Sequence, residues 1–390
     1  MAQKAEPKVK QSLRDMLLLK GKMDITFLII VLVLLSIGLI MMFSASYASA
    51  YYYEGNSLHY IARQVPFALL GIAAMLVASK VNYHIFRPFS WLIYAFSVVL
   101  LILVLFTEET TKGVRRWIYI GSFSFQPSEI AKFAIVVLFA HLIVSYGPAK
   151  MRTFRYGILP FIAILAPIVF LMIKEPHLSG TLLICSFAAV MLFIGGTHYG
   201  WFLLGGAVVL TALAAVVINP DLLTIFAKYA GTRIEVWLDP TSDPLGAGFQ
   251  TLQSLYAIGS GGLMGTGIGG SRQKYLYLPE PYNDFIFAIV CEELGFIGAA
   301  LIICLFGLLV WRGFVIAARC KSRFGSLIAA GLTAQVGIQT ILNIAVVTNT
   351  MPNTGISLPF FSYGGTSLVM LLAEMGIVLA VSRDSTIEKE

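Results

Sequence analysis

One carboxylate of the chain stands where an apolar run begins. Asp284 follows Pro279-Glu-Pro-Tyr-Asn and precedes Phe285-Ile-Phe-Ala-Ile-Val. Asp is favoured at the N-cap of a helix, so one interpretation of Asp284 is a helix cap. At the outer face of a membrane the same carboxylate would be partly desolvated, which raises its basicity and suits a general base. The two roles are compatible, and both stay open at this point.

A second group of charged residues precedes and opens another apolar run. Arg115 and Arg116 come first, and Gln126-Pro-Ser-Glu129-Ile-Ala-Lys132 then reads as a helix start with Pro in its first turn. Glu129 and Lys132 are three residues apart, so they share one helix face and could form a simple ion pair. The two arginines lie on the side that the charge distribution below assigns to the outside. Cations on that side favour an anionic partner such as a phosphate head group.

Two glycine-rich segments could approach a ligand with their backbone. Segment 259–270 lacks the Lys-Ser/Thr of a nucleotide-binding P-loop, and no predicted strand precedes it. Its amides could cradle a diphosphate, or the segment could be a re-entrant turn. Segment 351–367 combines prolines, glycines and hydroxyls without charge, which is typical of backbone that enters a polar cavity between membrane helices. Its candidate substrate-binding residues are Ser362, Gly364 and Gly365.

Three further carboxylates lie inside apolar runs. Glu292 and Glu293 stand two turns after Asp284, and Glu374 stands in the last run. Ionisable groups at that depth are costly in a membrane, so they normally pair with other polar groups or line a polar cavity. Structural pairing and a functional role both stay open for them.

The composition requires these residues to be held by membrane helices. Of 390 residues, 58% are hydrophobic and 12% are charged, and the mean hydropathy is +0.84. Soluble domains carry about 25% charged residues, so the excess apolar surface of this chain must face lipid. The net charge of +7 sits in short clusters between apolar runs, which is the positive-inside pattern of membrane proteins and excludes nucleic acid as the partner. The four cysteines are interpreted as small buried apolar residues without disulfides.

The predicted fold is an all-α polytopic membrane protein of about ten transmembrane helices. Placing the N-terminus in the cytoplasm puts most Lys and Arg on that side, and both termini are then cytoplasmic. One long extracytoplasmic loop, 219–283, separates the seventh and eighth helices and should hold structure of its own. The apolar runs are 24–46, 61–79, 88–106, 128–146, 156–173, 178–196, 200–218, 284–311, 324–348 and 362–382.

The chain divides into a basic cytoplasmic tail, 1–22, a transmembrane domain, 23–383, and a short cytoplasmic tail, 384–390. The basic tail is either a short amphipathic helix on an anionic leaflet or a disordered segment. The first apolar run is too long for the core of a cleavable signal peptide and should remain as a helix.

Taken together, the motifs resemble the shape, elongation, division and sporulation family of bacterial membrane proteins, which includes FtsW, RodA and SpoVE. The context of Asp284 and of Ser362-Tyr-Gly-Gly is closer to the FtsW and SpoVE branch. The segments that carry the resemblance are Phe43-Ser-Ala-Ser46, Arg115-Arg-Trp117, Gln126-Pro-Ser-Glu129, Asp284-Phe-Ile-Phe287, Glu292-Glu-Leu-Gly295 and Pro359-Phe-Phe-Ser-Tyr-Gly-Gly-Thr-Ser367.

The resemblance implies a peptidoglycan glycosyltransferase that polymerises lipid II at the outer face of the bacterial cytoplasmic membrane. It also implies a class B penicillin-binding protein as transpeptidase partner, among other membrane proteins of division or elongation. The essential acid of the family falls on Asp284, and polar cavity residues fall on Glu129 and Lys132, with Arg116 nearby. Many members read Pro-Asp-Leu-Gly where this chain reads Pro-His177-Leu-Ser, so the role of that aspartate is not transferred to His177.

The chemistry implied is an inverting transfer, because an α-linked sugar diphosphate yields a β-1,4 linkage. Asp284 would act as base on the acceptor hydroxyl, and Arg115, Arg116, Lys132 or a divalent cation (Mg²⁺ or Mn²⁺) near Glu129 would neutralise the leaving diphosphate. A lipid II flippase is the alternative that would use the intramembrane charges. A scaffold for the transpeptidase is a third, in which Asp284 has no chemical role.

Overall fold

The computed structural model describes residues 19, 21–107, 116–120, 123–175, 177–218 and 236–384. Each predicted apolar run contains a helix, which confirms the all-α membrane class, and a further helix, Phe249–Gly261, lies within the long loop. Within the described residues, eight helical segments are long and apolar enough to span a membrane, with Ser90–Val104 a shorter apolar one. The helices are α1 (Ile25–Glu54), α2 (His59–Ala78), α3 (Ser90–Val104), α4 (Pro127–Met151), α5 (Leu159–Lys174), α6 (Leu178–Gly195), α7 (Tyr199–Ile218), α8 (Phe249–Gly261), α9 (Ile286–Arg319), α10 (Arg323–Val347) and α11 (Gly365–Arg383).

The two ends of the described chain meet at one end of the bundle. Asp24 caps α1 by accepting from the Phe27 amide at 2.9 Å, and its other oxygen accepts from Arg312 Nε at 2.8 Å. Arg383 donates to the Gly21 carbonyl at 2.5 Å. At 1.5 Å per residue, Arg312 lies about 40 Å along α9 from its first residue. Asp284, which precedes α9, is therefore at the opposite end from both termini.

A break in α9 receives the glycine-rich loop that follows α8. Gly295 has φ +67°, a left-handed conformation that interrupts the helix and frees carbonyls one turn earlier. The amides of Thr266 and Gly267 donate to the carbonyls of Glu292 and Glu293, each at 2.9 Å. Segment 259–270 therefore uses these amides to close a gap in α9, and they do not form the diphosphate cradle that the sequence allowed.

The acidic pair of α9 is bound by residues that directly follow the glycine-rich loop and by a residue of α1. Lys274 Nζ lies 2.9 Å from Glu293 Oε1, with both side chains buried. Ser44 of α1 donates to Glu293 at 2.7 Å, and Ser271 donates to Glu292 Oε2 at 2.5 Å. Structural pairing, one of the two interpretations offered for these carboxylates, is the one the structure confirms.

Three helices beside the candidate site have the most buried apolar stretches of the membrane-spanning helices described. The apolar stretches of α10, α4 and α11 are 72%, 67% and 61% buried. An antiparallel hairpin of β1 (Ile118–Ile120) and β2 (Phe123–Phe125) leads into α4, with Ile118 paired to Phe125. Thr366 at the start of α11 donates to the Ser124 carbonyl at 2.9 Å. The hairpin thus joins the outer ends of α4 and α11, beside which the candidate site opens.

Candidate functional site

A cavity of about 560 Å³ lies at the end of the bundle opposite the termini. It is bordered by the first turns of α4, α6 and α11 and by the segment before α11. The predicted site residues that line it are Arg116, Glu129, Lys132, Asp284, Ser362, Gly364 and Gly365. Arg115 falls outside the described residues, so its place relative to the cavity stays a prediction.

Asp284 is positioned by its backbone and does not cap a helix. α9 begins at Ile286 with Phe285 in the cap position, and no side-chain hydrogen bond is made there. The cap interpretation of Asp284 is therefore wrong, because the chain turns one residue later than the sequence suggested. Buried Asn343 of α10 donates to the carbonyls of Asp284 at 2.7 Å and Ile356 at 2.6 Å. This amide fixes Asp284 between α10 and the segment before α11.

The half-buried carboxylate of Asp284 lies across Gly355. Gly355 has φ +67°, and a Cβ at this position would stand 3.1 Å from Asp284 Oδ2. Two features require a glycine at residue 355. Its backbone is left-handed, and the Asp284 carboxylate lies too close for a Cβ. The carboxylate therefore lies at the cavity wall, against the space that a side chain at residue 355 would occupy.

Glu129 and Lys132 form the predicted pair on one face of α4. Lys132 Nζ lies 2.9 Å from Glu129 Oε2, and the exposed fractions of the two side chains are 6% and 16%. Lys132 also donates to Gln339 Oε1 of α10 at 3.4 Å, and Gln339 Nε2 donates to the Ser357 carbonyl at 2.9 Å. The ion-pair interpretation is confirmed. Because both residues also line the cavity, the pair additionally places a cation there.

The three predicted residues before and within α11 shape the cavity wall. Ser362 Oγ accepts from the Leu358 amide and donates to the Asn283 carbonyl, each at 2.8 Å. The Gly364 amide donates to Gln64 Oε1 of α2 at 3.2 Å. Gly365 lies against the ring of Phe67. These contacts hold the segment against the residue that precedes Asp284, and a direct contact with substrate stays a prediction.

Sequence reasoning missed the start of α6, which forms another part of the wall. His177, Ser179 and Gly180 line the cavity, and Arg116 Nε donates to the nearby Glu175 carbonyl at 3.5 Å. Burial lowers the pKa of His177 to about 3, assisted by the Arg116 and Lys132 cations, so the ring is neutral at physiological pH. The available signal was the histidine itself, which replaces the aspartate of many family members.

Three tyrosines join α2 to the loop that carries Asp284. The rings of Tyr60 and Tyr282 stack with centroids 4.4 Å apart, and Tyr282 donates to the Tyr60 hydroxyl at 3.0 Å. Tyr363 meets Tyr60 edge-on at 5.2 Å, and its amide donates to the Tyr282 carbonyl at 2.9 Å. Burial raises the pKa of Tyr282 and Tyr363, so these hydroxyls stay protonated. Nothing in their spacing along the chain predicted this cluster.

The side chains near Glu129 are the ones that would have to bind the predicted divalent cation. Across the ranges described, no three His, Cys, Asp or Glu side chains are grouped so as to hold a metal ion. Glu129, the ligand proposed from the sequence, is already paired with Lys132. These donors do not fit a metal site of this kind, so no chemical step is assigned to a metal, and the cation stays a prediction.

The fold and the cavity define a class: a multi-pass membrane protein with a carboxylate and cations at one mouth of its helical bundle. The chain matches a family model described as "Cell cycle protein", FTSW_RODA_SPOVE, over residues 25–387. The chain belongs to this family, as the resemblance predicted, and it is a multi-pass protein of the bacterial cytoplasmic membrane.

Relatives and solved structures agree with the family. The chain is 42% identical to stage V sporulation protein E of Bacillus subtilis, over 94% of this chain and 98% of that protein. It is 37% identical to the probable peptidoglycan glycosyltransferase FtsW of Trichlorobacter lovleyi, over 92% and 93%. A chain of a peptidoglycan synthase complex is similar with TM-score 0.76 and 29% identity, over 94% and 99%. The rod shape determining protein RodA of Thermus thermophilus has TM-score 0.67 and 27% identity, over 94% and 98%.

Proposed function

We propose that this chain is a peptidoglycan glycosyltransferase that polymerises lipid II at the outer face of the cytoplasmic membrane, in division or related cell-wall synthesis. The observation that carries the proposal is the cavity, in which Asp284 and the Glu129–Lys132 pair line one space with Arg116. The relative in Trichlorobacter lovleyi that bears the name of this activity is similar over nearly its whole length. The outer location follows from the loop charges, which place both termini inside.

Asp284 is the base of the proposed reaction. Its carboxylate accepts the proton of the acceptor sugar hydroxyl, and that oxygen forms a bond to the anomeric carbon of the donor. The bond from this carbon to the diphosphate breaks, and its electron pair leaves with the polyprenyl diphosphate. Attack opposite the leaving group inverts the anomeric centre, in keeping with an α-linked donor and a β-linked product. The hydrogen bond from Asn343 to the Asp284 carbonyl holds the backbone of this residue in place during the step.

The leaving diphosphate requires positive charge near it. Buried Lys132 and half-buried Arg116 line the same cavity, and a cation interacts strongly with a developing anion where little water screens it. Arg115 is proposed to add to this charge. Glu129 orients Lys132 through the 2.9 Å pair, which keeps the ammonium group on the cavity side of α4.

We also propose a transpeptidase partner of the class B penicillin-binding type. The support is the similar chain of a solved peptidoglycan synthase complex, which is described as coordinating polymerisation and crosslinking. Further division or elongation membrane proteins are proposed partners on the strength of family membership alone.

The test is polymerisation of lipid II by the purified protein with its partner, followed as glycan strands on a gel. Asp284→Ala should abolish polymer formation while the protein remains folded. Asp239→Ala is the control, because this exposed carboxylate lies in segment 219–283, before α8, and does not line the cavity. Full activity of Asp284→Ala would show that Asp284 is not the base.

A lipid II flippase is the second candidate, and one observation favours it. Glu374 of α11 is buried and accepts from Gln335 of α10 at 2.9 Å, and Gln335 lines the cavity floor. Such a buried carboxylate suits a transport path. The same assay separates the two functions, since a flippase without transferase activity gives no glycan strands from lipid II.

A further inference from the structure

The starts of α4 and α6 face the same cavity. The first amides of a helix have no intrahelical acceptor and carry partial positive charge. The cap positions are Gln126 for α4 and His177 for α6, and neither makes a side-chain cap hydrogen bond within the described part of the chain. Helix starts of this kind commonly bind anions. By itself this would be a weak indication, since many helix starts are simply hydrated.

Three buried polar atoms at these two helix starts are a second, independent indication of a ligand. Ser128 Oγ, Ser179 Oγ and His177 Nδ1 have no hydrogen-bond partner among the described residues. Their residues are 2%, 1% and 8% exposed, and all three line the cavity. A buried polar atom without a partner is destabilising, so three such atoms beside one cavity favour a polar ligand there.

The charges around these atoms favour an anion. Arg116 is held at the turn before α6 by its 3.5 Å hydrogen bond to the Glu175 carbonyl, and Lys132 lies one to two turns into α4. Burial raises the pKa of Glu175 to about 8, although Arg116 lowers it, so this carboxyl is mostly protonated at neutral pH. The His177 ring is neutral, and its N–H can donate without adding charge.

Phosphate fits this set better than a sugar does. Helix amides, a guanidinium and an ammonium group donate hydrogen bonds and cannot accept them, whereas serine hydroxyls can do either. Phosphate oxygens only accept, so every donor here finds a partner on one ligand. A sugar hydroxyl, in contrast, is itself a donor, and few acceptors are available here for its proton.

We propose that the starts of α4 and α6, through Ser128, Ser179 and His177, form a subsite that binds the diphosphate of a polyprenyl diphosphate lipid. The proposal rests on the proposed function for the identity of the lipid. The same group is present on the incoming donor and on the product released after transfer, and the subsite binds both through this shared chemistry.

The experiment measures binding of undecaprenyl diphosphate, which has no sugar, to the full-length protein in detergent. Ser128→Ala and Ser179→Ala should each weaken binding about tenfold, the effect of one hydrogen bond to a charged group. Ser186→Ala is the matched control, because this half-buried serine of α6 does not line the cavity and donates to the Leu182 carbonyl of its own helix at 2.7 Å. Inorganic pyrophosphate is the second probe, and it should bind much more weakly if the lipid-linked diphosphate is the ligand.

Thermal unfolding without ligand separates binding from structure. Removing an unpartnered buried hydroxyl by Ser→Ala should leave the melting temperature unchanged or raise it, while the stabilisation by undecaprenyl diphosphate shrinks. A lower melting temperature with unchanged affinity would overturn the subsite and assign the serines to structure. Equal affinity in all four proteins would also overturn it. Polymerisation by the wild type is measured in a separate assay. A protein that binds the lipid but makes no glycan would contradict the proposed function and not the subsite.

Discussion

Gly355→Ala isolates the contact between the backbone and the carboxylate of Asp284. The substitution has two separate effects at this position. An alanine at φ +67° is strained by roughly 1–2 kcal/mol. Its Cβ would also stand 3.1 Å from Asp284 Oδ2, which is closer than ordinary contact and displaces the carboxylate by a few tenths of an ångström.

Gly147→Ala is the control that has only the first effect. Gly147 has φ +71° and ψ 169°, which also strains an alanine, and a Cβ there meets nothing within 4 Å. Both variants should therefore be destabilised by backbone strain of about 1–3 kcal/mol, or roughly 2–12 °C in melting temperature. Only Gly355→Ala should lose polymerisation, by about tenfold in kcat with little change in KM, since a misplacement of 1 Å costs on the order of 100-fold.

The assay is the initial rate of glycan formation from lipid II at a temperature well below both melting transitions. Equal rates for Gly355→Ala and Gly147→Ala would refute the argument that the position of the Asp284 carboxylate limits the reaction. A loss confined to KM would also refute it, because the contact is with the base and not with a binding group.

Three further predictions concern the buried charges around the site. Lys274→Met should destabilise the protein by about 3–5 kcal/mol in thermal unfolding, because it leaves the Glu293 carboxylate without its cation. Adding Glu293→Gln should restore much of this loss. A double variant no more stable than Lys274→Met would contradict the pairing. The pKa of Glu175 is raised from 4.5 to about 8 by folding, so its protonated form contributes stability that is lost as pH rises through this window. Glu175→Gln should match the wild type near pH 4.5 and exceed it by a few kcal/mol near pH 9, and a difference independent of pH would contradict the burial argument. If Lys132 and Arg116 supply the neutralising charge, a chelator should leave polymerisation above half of its rate, whereas loss restored by Mg²⁺ or Mn²⁺ would support the divalent cation expected near Glu129.

Most helices were predictable because an apolar run of membrane length has few alternatives to a helix. The ends were less predictable. α1 continues to Glu54, beyond the predicted 46, since Tyr51, Tyr52 and Tyr53 favour no particular stop and Gly55 then ends the helix in the left-handed conformation. α9 likewise starts after Asp284 and runs to Arg319. Hydrophobicity indicates which residues face lipid, but it does not indicate at which residue the helical hydrogen bonds end.

The site was predictable where its residues are close in sequence. Glu129 and Lys132 pair across a single helical turn, so their spacing was enough. The partners of Glu292 and Glu293 come from 19 to 249 residues away, in Ser271, Lys274 and Ser44, and no local pattern indicates them. The role of Gly355 beside Asp284 and the exposure of His177 to the cavity also depend on packing between distant segments. Which residues touch the substrate stays a prediction for all of them.

The most direct test of the account compares binding and turnover in Asp284→Asn. This change removes the basic oxygen but keeps the size of the side chain. The account predicts that the variant binds undecaprenyl diphosphate with wild-type affinity, unfolds at the wild-type temperature and forms no glycan strands from lipid II. Glycan formation at the wild-type rate would contradict the assignment of Asp284 as the base.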